Sequence, residues 1–321
     1  MVDYLNVSII VIGKNSKKTL NSCIESLELS LTNTSFIKDY EIIYVDSNST
    51  DESVKIAKEK YVEIIEIVDG YTTAALGRYL GKKYAKYENL LFLDSDMYLT
   101  ENWFVDSKEY FDRYGAIIGE RYEKLYKDDA VIKEIPKFYG IKSSEVASHI
   151  GGFLMIKKAL IENINYTPLI RDEEEKDFYA KFYDRAKIYK IPITAYIHNN
   201  YNLTASRIKG YLNPYAKNGY ILSMIKSIKD GYFRNYLSLQ KKYLLCMVVS
   251  VVFYLLLVCG YMWAFVVLEL LLLNGVKSFK GSLMTTLFFP YKFLTTLIFL
   301  NKKQKTKYIY HKKEYEMDIK L

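Results

Sequence analysis

The sequence predicts an α/β fold in which helices flank a mixed, mainly parallel sheet. In the first hundred residues, four apolar runs typical of buried strands alternate with segments of helical periodicity (strand-like residues 7–12, 41–45, 62–68 and 90–93). Three strand–helix alternations joined by short connections favour parallel strands with right-handed crossovers. Polar and acidic residues follow the carboxyl ends of two of these runs, where open α/β sheets bind their ligands.

Beyond residue 100 the pattern is less regular. Three more runs are typical of strands and one is helical (strand-like residues 115–119, 153–156 and 191–197; helical residues 176–187). We place the end of this part near residue 231. The sequence therefore predicts one large domain, with halves at residues 1–100 and 101–231.

A long apolar segment predicts that the chain is attached to a membrane. Residues 243–273 carry a single charged residue, Glu269, and as one helix they would exceed the ~30 Å hydrocarbon core of a bilayer. Lysines on both sides favour a tight hairpin with both ends in the cytoplasm, and a single tilted span is the alternative. Residues 282–300 are apolar but contain Pro290, which is typical of a re-entrant, interfacial or kinked helix. We therefore predict transmembrane or re-entrant helices at residues 232–300.

The two ends of the chain bear on its location. Residues 301–321 are rich in lysine and predict a basic cytoplasmic tail that lies on an anionic membrane surface or in solvent. Residues 1–6 lack the basic region of a signal peptide. We therefore expect the large domain on the cytoplasmic face of the membrane.

Composition and motifs disfavour several classes of protein. The net charge is +8, but no helix-turn-helix, zinc-finger or RNA-binding aromatic motif accompanies it, so no nucleic-acid partner is predicted. The three cysteines have no metal-binding spacing. G-x-G-x-x-G does not follow the first strand-like run and G-x-x-x-x-G-K-[ST] does not occur, which disfavours a Rossmann dehydrogenase and a P-loop NTPase.

Asp94 and Asp96 follow the strand predicted at residues 90–93 and are separated by one residue. Positions i and i+2 of an extended segment point to the same side, so the two carboxylates can converge on one ligand. Carboxylate oxygens are ligands that hard cations prefer. The sequence therefore predicts a site for a hard cation or a polar ligand at this strand end.

A second acidic loop, residues 46–51, follows an earlier strand. Asp46 or Asp51 is a candidate to accept a hydrogen bond from a ring N–H of a nucleobase. The alternative is a polar loop that only caps the next helix. Because both acidic loops follow strands of one predicted sheet, we expect them in the same crevice.

Several segments resemble, in order along the chain, the motifs of family 2 glycosyltransferases, which have the GT-A fold. Residues 7–12 resemble the family's opening strand, 46–51 (DSNSTD) its D-D-G-S-T-D loop with Ser47 and Asn48 as departures, and 77–81 (GRYLG) its G-R-N-x-G segment with Tyr79 as a departure. Residues 94–96 (DSD) resemble its D-x-D, and residues 151–158 resemble its Gly-rich strand before a basic pair. Residues 174–178 (EEKDF) resemble its E-D-x-D-L segment, with Glu175 in place of aspartate. His198 stands at a position where the family often has a histidine. One short motif is weak, but this many in order are specific.

The resemblance implies a nucleotide diphosphate sugar as donor and Mn²⁺ or Mg²⁺ as cofactor. It makes Asp96 the direct metal ligand, with Asp94 as a second candidate ligand or as the contact to ribose or a bound water. His198 is a further candidate ligand, better suited to Mn²⁺ than to Mg²⁺. The alternative for His198 is a histidine that is hydrogen-bonded in a loop.

The resemblance also implies a catalytic base for the acceptor hydroxyl. Glu175 matches the family's base position, and Glu174 and Asp172 are rival carboxylates nearby. The alternative is that this acidic run marks a helix N-terminus, where the helix dipole favours acidic side chains. The two roles are compatible because the run contains four acids.

The candidates for contacts with the donor are Lys14, Asn15, Asp46, Ser49, Asp51, Arg78 and Asp94. Lys14 and Asn15 follow the first strand, and the planar fork of Arg78 suits a phosphate. The alternative for Arg78 is a cation on a helix surface. The G-x-x-x-G spacing of Gly77 and Gly81 is explained more simply by close packing of a helix.

Together these inferences predict a membrane-attached, inverting glycosyltransferase of polysaccharide biosynthesis. Its predicted partners are a nucleotide sugar, a glycan or lipid-linked acceptor, and membrane lipids. The alternatives are a polyprenyl-phosphate sugar synthase, whose phosphate acceptor needs no base, and a catalytically inactive binding protein with the GT-A fold. No Q-x-x-R-W segment follows the acidic run, which disfavours a processive synthase.

Overall fold

The computed structural model describes residues 4–127, 129–201, 218–240, 252, 290–298, 300 and 304–319. Within these ranges, twelve strands form one mixed sheet: β1 Leu5–Gly13, β2 Ile37–Ser47, β3 Glu63–Gly70, β4 Asn89–Asp94, β5 Met97–Leu99, β6 Ala116–Lys127, β7 Ala130–Ile135, β8 Glu145–Val146, β9 Leu154–Lys157, β10 Tyr189–Asn200, β11 Gln304–Tyr310 and β12 Lys313–Ile319. The α-helices are α1 Leu20–Thr32, α2 Ser53–Glu59, α3 Ala74–Tyr84, α4 Trp103–Tyr114, α5 Glu174–Ala180, α6 Gly219–Lys229 and α7 Phe233–Leu239, and residues 290–298 are also helical. The α/β fold predicted from the sequence is confirmed.

One part of the sheet is parallel, as predicted. β1 lies between β2 and β4 and is parallel to both, and β3 is parallel to β2 on its other side. Val7, Ile9 and Val11 of β1 and Leu91 of β4 are completely buried. Such continuous burial is expected of strands that are covered on both faces.

The rest of the sheet is mixed. β9 is antiparallel to both β4 and β6, whereas β10 is parallel to β6 and antiparallel to β5. β6 and β10 extend well beyond the strands predicted at residues 115–119 and 191–197. The register between them shifts around Pro192, which has no N–H to donate to a neighbouring strand. Beyond this shift, His198 of β10 lies beside Glu123 of β6.

Close packing of α3 on β1 explains the G-x-x-x-G spacing. A Cβ at Gly81 would collide with Ile10, and a Cβ at Gly77 would lie 3.1 Å from Ile12 Cγ2. The helix therefore lies unusually near the strand. This packing places Arg78, between the two glycines, in the interior, where its side chain is 2% exposed.

The described chain divides into two compact units. The first comprises Met1–Leu169, Lys181–Ala205 and Lys303–Leu321 and contains the sheet, and the second comprises Ile170–Ala180 and Ser206–Lys302 and contains α5, α6 and α7. The boundaries predicted at residues 100 and 231 stay a prediction. The helix predicted at residues 176–187 ends early, at Ala180, and the amide groups of Arg185 and Ala186 donate to Phe182 O in a turn.

The predicted basic tail is, in its described part, a β-hairpin on the edge of the sheet. β11 pairs antiparallel with β3 and with β12. Thr306, Tyr308 and Tyr310 are buried, Lys307 and Ile309 between them are partly exposed, and Lys305 before them is exposed. His311 and Lys312 have φ of +47° and +63° and form the two-residue turn. A solvated tail was therefore wrong for residues 304–319, because the backbone of β11 pairs with the edge of β3 and β12 pairs with β11.

The predicted membrane segments, residues 243–273 and 282–300, lie outside the described residues except for 252, 290–298 and 300. In the part of the chain that the structure describes, no helix has both the length and the apolar character needed to cross a bilayer. Residues 290–298, which include Pro290, are helical.

Candidate active site

The two aspartates that the sequence singles out lie where β4 ends. Asp94 is the last residue of β4, and Asp96 lies in the turn before β5. Ser95 N donates to Ile12 O of β1 at 2.9 Å, and Asn199 N of β10 donates to Asp96 O at 3.0 Å. Strands on both sides therefore fix the turn that carries the two carboxylates.

Arg78 is buried against Asp94. Its Nη2 donates to Asp94 Oδ1 at 2.8 Å, and the side chains of Arg78 and Asp94 are 2% and 34% exposed. The guanidinium carbon lies 5.6 Å from the centre of the Tyr166 ring. A helix-surface cation was therefore the wrong alternative for Arg78. The ion pair fixes one edge of the Asp94 carboxylate, and a phosphate contact of Arg78 stays a prediction.

Gly152 leaves the space that the Asp94 carboxylate occupies. A Cβ at this position would collide with Asp94 Oδ2 and would lie 2.7 Å from Met97 Cε. The residue before it, Gly151, has a φ of +74°, which favours glycine. The Gly-rich segment that resembles a family motif thus forms part of the wall around Asp94.

Asp96 and His198 face each other. His198 Nε2 lies 3.4 Å from Asp96 Oδ2, and the imidazole side chain is 16% exposed. Burial alone lowers the pKa of His198, but the hydrogen bond and charge of Asp96, helped by the charge of Glu123, outweigh burial and raise the pKa overall. The second oxygen, Asp96 Oδ1, is buried and has no hydrogen-bond partner among the described residues. The structure thus brings together two of the three predicted metal ligands, Asp96 and His198.

The donor set fits a divalent cation that is held by few protein groups. A buried carboxylate oxygen without a partner is costly unless a cation or a donor completes it. Within the described residues, no group of three or more His, Cys, Asp or Glu side chains is arranged to hold a metal. A cation at Asp96 and His198 would therefore take its remaining ligands from water and from phosphate oxygens, which is the usual way that Mg²⁺ is bound.

Asp46 is buried and organises its own loop. Its Oδ2 accepts from Ser49 N at 2.8 Å, and its Oδ1 accepts from Ser49 Oγ at 2.6 Å and from Tyr44 Oη at 3.0 Å. The residue is 1% exposed. These contacts favour a structural role for Asp46, and its predicted contact with a nucleobase is untested.

Asp51 joins the acidic loop to α2 and to the loop after β1. It accepts from Lys17 N and Ser53 N, both at 3.0 Å, and from Ser53 Oγ. Burial works against ionisation, but these hydrogen bonds outweigh it and lower the pKa of Asp51. Asp51 therefore satisfies the backbone N–H of Ser53, the first residue of α2, while Glu52 occupies the N-cap position.

Asn15 and Ser16 tie the loop after β1 to the two acidic loops. Asn15 N donates to Ser49 Oγ at 2.8 Å, and Asn15 Oδ1 accepts from Thr50 N at 2.9 Å. Ser16 Oγ lies 2.6 Å from Ser95 Oγ, between the two aspartates of the D-x-D. Three strand ends are thus linked by short polar contacts. Lys14, which precedes Asn15, is exposed.

The acidic run with the candidate base belongs to the second unit. Asp172 Oδ1 accepts from Gly219 N at 3.2 Å, and Asp177, which is completely buried, accepts from Tyr232 Oη at 2.7 Å. Glu174 and Glu175 begin α5, so the predicted helix N-terminus is present as well. Asp172 and Asp177 therefore make packing contacts among the helices, and the identity of the base stays a prediction.

The sequence did not predict the polar residues around His198, which are Arg121, Glu123 and Asn200. They are neighbours because β6 and β10 pair in a shifted register. No sequence motif or spacing predicts the contact of His198 with these residues. The alternation of charged and aromatic residues in β6 was the only local signal, and it is common in exposed strands.

Replacing Asp46 by asparagine tests whether this residue serves the fold or the donor. An amide nitrogen would face donors that the carboxylate now accepts, so we expect the free energy of unfolding to fall by about 1–3 kcal/mol. Chemical denaturation measures this, with Asp39→Asn, an exposed change on the same strand, as the control. Unchanged stability with a large loss of nucleotide binding would instead assign Asp46 to the donor.

Comparisons with known proteins agree with this geometry. Residues 8–164 match the family model described as glycosyl transferase family 2. A curated relative, the poly(ribitol-phosphate) beta-glucosyltransferase of Bacillus spizizenii, is 29% identical over 204 residues, which are 60% of this chain and 31% of the relative. This chain thus spans about a third of that relative's length.

Two crystal structures of S. aureus TarS 1-349 are similar in fold. The complex with UDP-GlcNAc has a TM-score of 0.56 and 18% identity and covers 74% of this chain and 73% of that one. The complex with UDP has a TM-score of 0.51 and 18% identity and covers 73% and 71%. At this identity the likeness concerns the fold. The residues that match the family model, 8–164, include most of the sheet and the D-x-D at the end of β4.

Proposed function

We propose that this chain is a metal-dependent glycosyltransferase that moves a sugar from a UDP-linked donor to a hydroxyl of a cell-surface glycan. The observation that carries the proposal is the arrangement at the end of β4. There Asp96 faces His198 and has a buried oxygen that no group in the described part of the chain hydrogen-bonds, while Arg78 orients Asp94. The family match and the UDP complexes of a structure with the same fold support this choice of donor.

Asp96 and His198 are the residues that would hold the divalent cation. When bound, the cation offsets the negative charge that develops on the departing diphosphate. Asp94, held at one edge by Arg78, is directed toward the ribose or a bound water. Lys14 is exposed at the carboxyl end of β1 and is available to a phosphate.

The reaction is an inverting single displacement. The acceptor oxygen bonds to C1 of the sugar as the bond between C1 and the diphosphate oxygen breaks, and the hydroxyl proton passes to a carboxylate. Glu175 is the first candidate for this base and Glu174 the second. The contact of Asp172 Oδ1 with Gly219 N weighs against Asp172, the third carboxylate considered.

The proposed acceptor is a polyol-phosphate chain, a glycan that is carried on a membrane lipid. The name of the Bacillus spizizenii relative supports this substrate class. Attachment to the membrane, with the catalytic domain on its cytoplasmic face, belongs to the same proposal and is supported by the apolar residues 243–273. Transfer to water-soluble acceptors alone would contradict the lipid-linked acceptor.

Replacing Asp96 by alanine tests the metal-dependent chemistry. The variant loses the carboxylate that faces His198, so we expect metal-dependent release of UDP to fall by at least ~100-fold. Coupled assay of UDP release with Mn²⁺ measures this, and Asp106→Ala, an exposed change in α4, is the control. Equal release by the Asp96 variant would remove the enzymatic proposal and favour the inactive binding protein.

Replacing Glu175 and Glu174 separately by glutamine identifies the base. We expect one variant to lower kcat by ~10²–10⁴-fold, because the acceptor hydroxyl loses its proton acceptor. Affinity for UDP, measured by thermal shift, should stay unchanged, since the donor contacts lie in the other unit of the chain. Full turnover by both variants would favour a polyprenyl-phosphate sugar synthase, whose acceptor is already ionised.

Fractionation of cells that express the full chain tests its location. The apolar residues 243–273 should keep the protein in the membrane pellet after a carbonate wash, because burial of apolar side chains in the bilayer does not depend on charge. Recovery of the full chain in the soluble fraction without detergent would contradict membrane attachment. The same preparation, treated with protease on sealed inverted vesicles, reports which face carries the large domain.

A further inference from the structure

The imidazole of His198 lies between two carboxylates. Its Nε2 is 3.4 Å from Asp96 Oδ2, and its Nδ1 is 2.9 Å from Glu123 Oε2. The strand register produces this arrangement, because His198 lies beside Glu123 of β6 on one side and opposite Met97 of β5 on the other. One ring therefore connects the turn after β4 to a carboxylate whose side chain is 2% exposed.

The position of Glu123 is fixed by its own partners. Arg121 donates to Glu123 Oε2 from both Nε and Nη2, and Asn200 Nδ2 donates to Glu123 Oε1 at 3.1 Å. The guanidinium of Arg121 also lies 4.3 Å from the centre of the Phe138 ring. Both oxygens of Glu123 are thus held by hydrogen bonds, in a place where the carboxylate has little freedom to move.

We infer that Glu123 is a positioning residue, which orients His198 so that a lone pair on Nε2 faces the cation held by Asp96. The inference rests on the proposed function and adds to it a residue that contacts neither donor nor acceptor. Histidines that bind a metal commonly donate their other ring N–H to a carboxylate, which fixes both the tautomer and the angle of the ring. Glu123, His198 and Asp96 stand in that order.

The tautomer of His198 follows from the groups around Nδ1. A lone pair on Nε2 requires the proton on Nδ1, and Glu123 Oε2 is placed to accept it. Arg121 Nη2 also lies 2.7 Å from Nδ1, and a guanidinium only donates, so this contact favours the opposite tautomer, in which Nε2–H donates to Asp96. The two contacts compete. If Glu123 loses its charge, the contact with Arg121 dominates at Nδ1 and favours the tautomer with the proton on Nε2.

The test measures Mn²⁺ affinity in the presence of UDP, by the electron paramagnetic resonance signal of free Mn²⁺. We expect Glu123→Gln to weaken Mn²⁺ binding by ~10–100-fold. His198→Ala should weaken it to a similar extent, and the double variant should show no further loss, because Glu123 acts only through the ring. Additive losses in the double variant would overturn the inference.

Glu120→Gln is the matched control. Glu120 lies on the same strand, is also 2% exposed, and accepts from the backbone N–H groups of Tyr139 at 2.7 Å and Ile141 at 2.8 Å. This variant should lower the thermal unfolding temperature but retain Mn²⁺ affinity. If it weakens Mn²⁺ binding as much as Glu123→Gln does, the effect is one of general destabilisation and the inference fails.

A second readout uses the wild-type chain and does not depend on how a variant folds. The chain has three histidines, so ¹⁵N-imidazole spectra contain few signals, and His198→Ala identifies the one that matters. At a pH where His198 is neutral, we expect its proton on Nδ1 in the wild type and on Nε2 in Glu123→Gln. A wild-type proton on Nε2 would overturn the inference.

The outcomes separate this inference from the proposed function. If the wild type binds no Mn²⁺, or if Asp96→Ala binds Mn²⁺ as well as the wild type does, the proposed metal-dependent function is rejected. If the wild type binds Mn²⁺, Asp96→Ala loses it and Glu123→Gln keeps it, the proposed function stands and only the role of Glu123 is rejected.

Discussion

The ion pair between Arg78 and Asp94 is the interaction on which the site depends. A guanidinium that is 2% exposed is strongly unfavourable without a charged partner, because burial removes it from water. Asp94 supplies that partner at 2.8 Å, at the end of the central strand. The close packing of Gly77 and Gly81 on β1 brings Arg78 to this depth, and Gly152 leaves room for the carboxylate. Three glycines and one salt bridge therefore fix the position of Asp94.

The elements around this pair were largely predictable because their signals are local. A parallel strand buried on both faces is a short apolar run, and the residues that follow it lie at the ligand-binding edge of the sheet. The roles of individual acids were less predictable. Asp46 and Asp51 look alike in the sequence, yet their lone pairs are used by Ser49, Tyr44, Lys17 and Ser53 in the loops around them. Sequence patterns identify a carboxylate but not the donors that already satisfy it.

The hairpin of β11 and β12 shows a second limit. In residues 304–310, buried positions alternate with less buried ones, as in a half-buried strand. The lysines at positions 305 and 307 make the segment look like a charged tail, so this two-residue periodicity is not evident from the sequence. The turn lacks the glycine or asparagine that usually accompanies positive φ, since His311 and Lys312 occupy it. Only the edge of β3, more than 230 residues earlier, gives the segment a partner. A pairing at that separation leaves no trace in local composition.

The cluster of Arg121, Glu123 and His198 next to Asp96 also depends on contacts between residues far apart in the sequence. The free energy needed to bury its charges helps to explain its role. Burying the ion pair of Arg121 and Glu123 stabilises a fold little in comparison with apolar side chains of similar volume, because both charges lose their hydration. The side chains of Arg121 and Glu123 are nevertheless 17% and 2% exposed, directly behind the ring of His198. An apolar core would fill that volume at least as well, but it would leave Nδ1 without an acceptor and the ring free to rotate. The charges are therefore better explained by what they impose on His198 than by what they add to the stability of the sheet.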